Sequence, residues 1–536
     1  MPDANTQRLL DFMLDAHSYK HGPSDVSMVE THASWVFLAP PFAYKVKKPV
    51  NYGFLDFSTL DLRHADCERE LVLNRRLAPE IYLQAEAIHE SADALHFGGG
   101  GRVFEWVVKM KLMDSRFFLN NLIREQEVGI LEIDRVIELL RSFYAKSSPL
   151  DSLTARSAGV RTRKSVHDNF EILRPFRNAP LSSHALDAIE CFTTEFERQH
   201  DSLFKARVEG GWFRDCHGDL RLEHVYLAPE GVSIYDCIEF NEAFRHIDVA
   251  SDLAFLAMDL DFNGRSDLSA HLIQQFIQTW GDVQMMSLLD YYKCYRACVR
   301  AKVACLRSDS ATLTPQKKKV SLDLAQQYLV LSLRYALAGS KPQVFVFMGK
   351  VASGKSSLAE RLGQETGWKV LSSDVVRKTQ AGVPLDYRGT AAERSRLYDP
   401  VATSSTYGAL CRQAIETLES GRNVILDATF SKREHRTILS EQLREAGHQL
   451  AWIEVVAPKE LALERLRKRE TKAGVVSDAR TEDFEALTQS FEQPDELPPS
   501  IRTTISADDA PDANYGMLLR RLAMRHACDG VFLKGT

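Results

Sequence analysis

The sequence predicts two architectures in one chain: an α+β first half, then an α/β second half built on a five-stranded parallel sheet. Three observations carry this. After residue 342, five short apolar runs alternate with segments of helical period, the pattern of parallel strands joined by crossover helices. Before residue 113 short strand-like runs surround one helix, and residues 113–335 are then mostly helical, so strands and helices segregate. Between the two textures, the helical stretch 320–339 ends in Gly339-Ser340-Lys341-Pro342, where glycine follows the last apolar turn and proline stands just beyond. These signals place two domains at residues 1–339 and 340–536.

Length and composition agree. A chain of 536 residues, at roughly 100 to 200 residues per domain, holds two to four domains. With 44% hydrophobic and 26% charged residues it is neither disordered nor collagen-like nor a coiled coil. No apolar run approaches the roughly 18 residues of a membrane helix. The first fifteen residues are acidic and amphipathic, where a secretion signal is basic and then apolar, so a cytoplasmic protein without membrane association is expected. Sixty-seven basic against 73 acidic residues, a net charge of -6, argue against wholesale binding to a nucleic-acid backbone and leave room only for a local basic groove. The nine cysteines contain no C-x-x-C pair, which removes zinc ribbons and disulfide frameworks. Cys294, Cys298 and Cys305, on one face of a predicted helix, are expected to be buried free thiols.

In the first half, residues 36–38 and 43–48 read as a hairpin around Pro40 and Pro41, and residues 65–77 as a helix. Two more strands follow, up to Leu112, on either side of Gly98 to Gly101. Strand-like runs flank these glycines, so they read as a hairpin turn and not as a phosphate loop. A strand-rich segment interrupts the helices at residues 212–240. The helix 291–307 carries Arg296, Arg300 and Lys302 among aromatics, a basic face expected to line a cleft or meet solvent.

In the second half, strands are expected at 343–348, 369–371, 423–426, 451–456 and 502–506. Directly after the first stands Gly349-Lys-Val-Ala-Ser-Gly354-Lys355-Ser356, and a helix opens with Ser356 and Ser357. A strand, a glycine-bounded loop and a helix N-terminus turn main-chain N–H groups inward around phosphates. Gly349, Ala352, Ser353, Gly354, Lys355, Ser356 and Ser357 are therefore expected to hold ATP, with Lys355 on the β- and γ-phosphates and Ser356 on Mg²⁺. Asp427, ending the apolar run 423–426, supplies the carboxylate for the metal's shell. Strand two ends in Ser372-Ser373-Asp374, followed by Arg377 and Lys378, which puts a carboxylate where an acceptor hydroxyl loses its proton. Helix 458–470 carries Arg465 and Arg469, four apart and so on one face, before a loop with Gly474 and Ser477-Asp478-Ala479; the two arginines are candidates to neutralise charge during transfer.

The first half holds a second constellation. Asp215-Cys-His217-Gly-Asp219-Leu-Arg-Leu-Glu-His224 precedes Ile234-Tyr-Asp236, two strand-flanked loops that offer one carboxylate to an attacking hydroxyl and another to Mg²⁺. Upstream, Lys45 is the candidate for the α- and β-phosphates, with Glu70 on the next helix to orient it. Lys47 lies two residues on, hence on the same strand face, and is the rival.

Residues 342–530, through GKVASGKSS, SSDVVRK, LDATF and the RLRKRE helix, resemble the small P-loop kinases: the gluconate-kinase-like and zeta-toxin-like groups and polynucleotide 5'-kinases. That resemblance implies Asp374 as general base, Arg377 as a substrate contact, and Arg465 and Arg469 as lid residues. Acceptor identity in those groups lies in variable insertions and does not transfer. Residues 25–310 resemble the aminoglycoside-phosphotransferase branch of the protein-kinase-like fold, with a shared Asp248-x-x-x-Asp252-Leu-Ala. The resemblance implies Asp219 as base, Asp236 as metal ligand, Asp252 as a buried structural carboxylate and residues 110–112 as the adenine hinge. Two features depart from it. His224 stands where that branch has an asparagine metal ligand, and imidazole suits zinc better than Mg²⁺. No glycine-rich flap is visible between residues 28 and 45. The whole resembles bacterial fusions of these two domain types. The function implied is transfer of the ATP γ-phosphate to a hydroxyl of a small polar molecule or a nucleic-acid 5' end. A regulatory ATPase gated by nucleotide, with a non-catalytic kinase-like partner-binding domain, is the alternative. Oligomeric state is not encoded legibly.

Overall fold

The aromatic and β-branched runs of residues 27–111 pair into a six-stranded antiparallel sheet: β1 (Ser27–Glu30), β2 (Ser34–Ala39), β3 (Phe42–Lys47), β4 (Tyr82–Ser91), β5 (Ala94–Phe97) and β6 (Arg102–Lys111), in the order β1-β2-β3-β6-β4-β5. Alternation along the strands sends Phe37, Tyr44, Val46, Val107 and Ile88 to one face and Ala43, Val108 and Met110 to the other. The helix Leu60–Asn74, capped by Thr59, lays Cys67 and Leu71 on the second face. Gly98 to Gly101 is not the hairpin turn expected from sequence. β5 and β6 pair with opposite sides of β4, so these glycines carry the chain across that strand.

The computed structural model describes residues 4–53, 55–91, 94–176, 182–310, 313–387, 389–471, 476–508 and 510–532. Among them no helix is long and apolar enough to cross a membrane. The chain forms two compact units, Met1–Lys164 with Ser202–Leu289, and Ser165–Asp201 with Asp290–Thr536. This line differs from a break at residue 339. The helices Ser183–Gln199 and Pro315–Ala338 pack with the C-terminal helix Pro511–Phe532, and His184 pairs with Asp512 at 2.7 Å. The stop signals at Gly339 mark where a helix ends, not what it packs against.

The first unit adds two small antiparallel pairs, β7 (Phe213–Asp215) with β10 (His246–Asp248) and β8 (Val225–Ala228) with β9 (Gly231–Ile234). The helix Val249–Phe262 behind them is buried through almost its whole length. Buried Arg207 ties this layer together by pairing with Asp248 and Asp282.

In the second unit β11 (Gln343–Met348), β12 (Lys369–Ser372), β13 (Val424–Asp427), β14 (Gln449–Val456) and β15 (Arg502–Ser506) form one parallel sheet, ordered β12-β13-β11-β14-β15. The central strand β11 is buried along its length, as a strand covered on both faces must be. Of the basic residues expected on one face of the helix Met285–Ser308, Arg296 is buried, whereas Arg300, lying over Tyr328, and Lys302 are half-buried; Lys293 is buried and donates to Ser340 Oγ at 3.3 Å. Cys294, Cys298 and Cys305 are buried free thiols, the first two sharing the Ser332 hydroxyl.

Candidate functional site

The turn after β11 is built on backbone that side chains reject. Gly349 has φ 146° and a Cβ there would run into the Val455 carbonyl; Gly354 has φ 102° and Ala352 φ 57°. Gly354 caps the helix Lys355–Thr366 without a side-chain hydrogen bond, so the first-turn amides keep their donors for a ligand. Lys355, half-buried, lies near Asp427, Asp374 and Arg469. Burial lowers its pKa against the pull of the two carboxylates. Asp427 ends β13 and accepts from Ser356; burial raises its pKa despite Lys355. Its Oδ1 and the Oγ of Ser353 are buried with no hydrogen-bond partner. A cradle that excludes a Cβ, with orphaned oxygens beside a helix N-terminus, fits a polyphosphate with its metal ion.

The second strand places the next carboxylate. Ser372 in β12 stands opposite Asp427 in β13, so Asp374, in the first turn of the helix Ser373–Ala381, comes to the same end of the sheet. Its Oδ1 accepts from Tyr398 at 3.2 Å. Arg377, one turn on, donates through Nη1 to the Leu397 carbonyl at 2.8 Å and Thr403 Oγ1 at 3.3 Å and covers the Tyr398 ring, while its buried Nε has no partner. Lys378 pairs with Asp478 at 2.9 Å, both buried.

The helix Lys459–Glu470 separates its two arginines in role. Arg465 donates to the main-chain carbonyls of Ser353 at 2.9 Å, Ala352 at 3.4 Å and Ala507 at 3.1 Å, so it braces the loop from behind. Arg469 is near enough to Lys355 to oppose its charge. Gly474 lies outside the described residues; Asp478 lies within them.

In the first unit Lys45 donates to Glu70 at 2.8 Å and to Asp236 at 3.2 Å. Lys47, on the same strand face, is buried against Asp66 at 2.8 Å, Glu70 at 2.6 Å and Glu239 at 2.5 Å. Each oxygen of Glu70 thus serves one lysine, and Lys45 alone of the pair reaches Asp236. Asp236 has φ 60°; burial works to raise its pKa, but Lys45 and His224 hold it well below the ordinary carboxylate range. Asp252 accepts from the amides of His217 and Gly218, each at 2.9 Å, and from Tyr144 at 2.8 Å, which fixes the loop carrying Asp219. Both oxygens of Asp219 are taken by Arg221, at 2.9 and 2.8 Å. Arg221 also pairs with Glu223 and donates to His224 Nε2 at 3.1 Å. His224 donates Nδ1–H to the Asp219 carbonyl at 2.8 Å, and Nε2 lies 3.6 Å from Asp236. Burial and Arg221 lower its pKa to about 4, so the ring is neutral. Sequence reasoning missed Arg221, Glu239 and Tyr398; only Arg221 left a signal, standing two residues from Asp219.

A protein-family model described as an AAA domain matches residues 344–494. Among solved structures the chain is similar to a gluconokinase from Sinorhizobium meliloti 1021 (17% identity, 37% of this chain and 99% of that one, TM-score 0.25). It is also similar to the APS kinase CysC of Mycobacterium tuberculosis in complex with AMPPNP and APS (20%, 34% and 97%, TM-score 0.24) and to Kti12 of Chaetomium thermophilum in complex with ADP-AlF3 (20%, 34% and 97%, TM-score 0.26). Over 480 residues it is 30% identical to Uncharacterized protein Rv2004c of Mycobacterium tuberculosis and, equally, to Uncharacterized protein Mb2027c of Mycobacterium bovis, covering 89% of this chain and 92% of each. The chain belongs to the family of these mycobacterial proteins, and its second unit carries a phosphate-binding loop at the head of a five-stranded parallel sheet.

Proposed function

We propose that the second unit is an ATP-dependent kinase acting on a hydroxyl of a small polar molecule or a nucleic-acid 5' end. The observation that carries this is the convergence of Asp374 and Asp427 on Lys355, at the ends of adjacent strands beside the loop. The second carboxylate stands at the end of the neighbouring strand, where a nucleophile's proton can be taken, and the acceptor screen below separates a hydroxyl from water as that nucleophile. Ser356 and Asp427 would hold Mg²⁺, which when bound neutralises charge on the phosphates. Gly349, Ala352, Ser353, Gly354 and Ser357 line the phosphates with main-chain donors, and Lys355 takes the β- and γ-oxygens. Asp374 accepts the proton of the incoming hydroxyl as its oxygen bonds to the γ-phosphorus and ADP departs. Arg469 offsets the charge that develops, Arg465 holds the loop for it, and the unpartnered Nε of Arg377 is free to bind an anionic part of the acceptor.

The test is incubation with ATP and a panel of sugars, aminoglycosides and 5'-hydroxyl oligonucleotides. Asp374→Ala should lower transfer by about 10² to 10⁴-fold, the usual worth of a general base, with ATP binding by calorimetry retained. Release of free phosphate unaltered in Asp374→Ala, with no acceptor labelled, would instead make the unit a nucleotide-gated regulatory ATPase.

For the first unit we propose a second, kinase-like nucleotide site of the aminoglycoside-phosphotransferase type within residues 1–339, with residues 340–536 as the P-loop part. Lys45, oriented by Glu70, would meet phosphates; Asp236, with His224 beside it, would hold a cation. Asp219 acts as base only once Arg221 has left it. An activity that survives Lys355→Ala and disappears in Asp219→Ala supports this site; silence of every activity in Lys355→Ala removes it.

A further inference from the structure

Tyr398 closes the short helix Ala391–Leu397 and directly precedes Asp399, whose side chain caps the helix Pro400–Glu419. Its position is fixed from several sides. The Arg377 guanidinium lies 4.3 Å from its ring centroid and also donates to the neighbouring Leu397 carbonyl at 2.8 Å, so one cation pins both the ring and the turn that carries it. The hydroxyl lies 3.2 Å from Asp374 Oδ1 and 3.3 Å from Asp478 Oδ2. Asp478 cannot swing away, because buried Lys378 holds it at 2.9 Å while donating to the carbonyls of Leu385 and Tyr387 at 3.0 and 2.9 Å. A phenol has one proton and faces two carboxylates, so it donates to one of them at a time.

A hydroxyl hydrogen-bonded to Asp374, a carboxylate that itself faces Lys355, occupies the place that an acceptor hydroxyl needs. The geometry points to Tyr398 as an internal phosphoryl acceptor: the second unit transfers a γ-phosphate from ATP to its own Tyr398 hydroxyl. This rests on the reading of Asp374 as the base. The Oη–H proton passes to Asp374, the Oη–Pγ bond forms, and the bond from Pγ to the β–γ bridging oxygen breaks. That oxygen keeps the electron pair as ADP leaves, and nothing is oxidised or reduced. Burial and the charges of Asp374 and Asp478 raise the phenol's pKa, so the proton must be taken during attack and not before it. The product dianion cannot remain between two carboxylates. With the residue 40% exposed, phosphotyrosine would leave toward solvent and uncover Asp374 for an outside acceptor.

The experiment uses the full chain with ATP and Mg²⁺, peptide mass spectrometry across residue 398, and calorimetry of ATP binding on the same sample. One phosphoryl group on Tyr398 is expected, absent in Tyr398→Phe and in Asp374→Asn, formed at a first-order rate that does not change with protein concentration. Bound ATP with an unmodified Tyr398 overturns this inference alone and leaves the kinase reading standing. A label on another residue that persists in Tyr398→Phe, or a rate that rises in proportion to protein concentration, also overturns it. Failure to bind ATP at all sinks both readings together.

Discussion

Lys45 and Lys355, the two lysines proposed above to meet phosphates, are both half-buried, yet their surroundings have opposite balance. Lys45 sits on Glu70 and Asp236, and its pKa stands well above the ordinary value because these carboxylates outweigh burial. Lys355 has the opposite shift, since burial outweighs Asp427 and Asp374. Around the first, Lys47 and Arg221 are outnumbered by Asp66, Glu70, Asp219, Glu223, Asp236 and Glu239. Around the second, Arg469 adds positive charge, and the loop amides add more. The loop of the second unit therefore keeps a surplus of positive charge that favours an anion. The cleft of the first is neutralised by its own acids, and a polyphosphate would enter it only with a metal cation.

The most forceful way to break that contrast is to exchange one lysine in each unit, Lys47 in the first and Lys355 in the second, for methionine. Lys47→Met leaves three carboxylates within 4.8 Å of one another, offset only by Lys45 at one oxygen of Glu70 and Arg69 at Asp66, and Glu239 without its cation. Removing one partner of such a buried set costs about 3–5 kcal/mol. The first unit's urea midpoint should fall accordingly, and mild acidification should return part of the loss as the carboxylates take up protons. Lys355→Met removes a desolvated charge, so unfolding stability should hold within about 1 kcal/mol or rise, while ATP binding disappears. Equal destabilisation by both substitutions would show that the two lysines do not differ in the way argued.

What the sequence made legible follows the same division. The phosphate loop is local chemistry: strand, glycines, lysine and helix are contiguous, and Asp427 and Asp374 become visible because parallel strands end together. The first unit's network is not local. Lys47 meets Glu239 from almost 200 residues away, and no period or motif announces it. Arg221 was in plain view, but spacing by two residues in a loop does not say that a guanidinium will cover both oxygens of Asp219. Alternating patterns revealed β5 and β6 as strands without revealing that β4 lies between them. Tyr398 follows a short polar helix and gains its meaning only when Asp374 and Asp478 arrive from other elements.

A smaller effect sharpens the electrostatics of the first unit. His224 has its folded pKa lowered from 6.5 to about 4, by burial first and Arg221 second. The folded state therefore binds this proton less readily than the unfolded one. Its contribution is present in full above pH 6.5 and is lost as pH falls toward 4, by up to about 3 kcal/mol at roughly 1.4 kcal/mol per unit. Unfolding free energies measured between those limits should show this slope, and His224→Asn should flatten it. An unchanged slope would mean that the ring is not buried beside Arg221 as described.

The smallest expected change distinguishes the two arginines of the helix Lys459–Glu470. Arg465 touches no phosphate position; its three donors end on the carbonyls of Ala352, Ser353 and Ala507, which ties the loop to the end of β15. Net stabilisation by hydrogen bonds from a charged donor is about 1.5–3 kcal/mol, and only the part that orders the loop for nucleotide reaches the binding constant. Arg465→Ala should therefore weaken ATP by about tenfold, the equivalent of about 1.4 kcal/mol, with the rate of transfer at saturating ATP little altered. Arg465→Lys should rescue poorly, since a single ammonium cannot fork between carbonyls on two segments. Arg469→Ala should show the reverse, a lower kcat with nearly unchanged affinity, because a cation that acts on developing charge contributes in the transition state and not in the ground state. If both truncations lowered kcat alike, Arg465 would act on the phosphates after all, and the bracing seen at the loop would be a resting arrangement that nucleotide binding undoes.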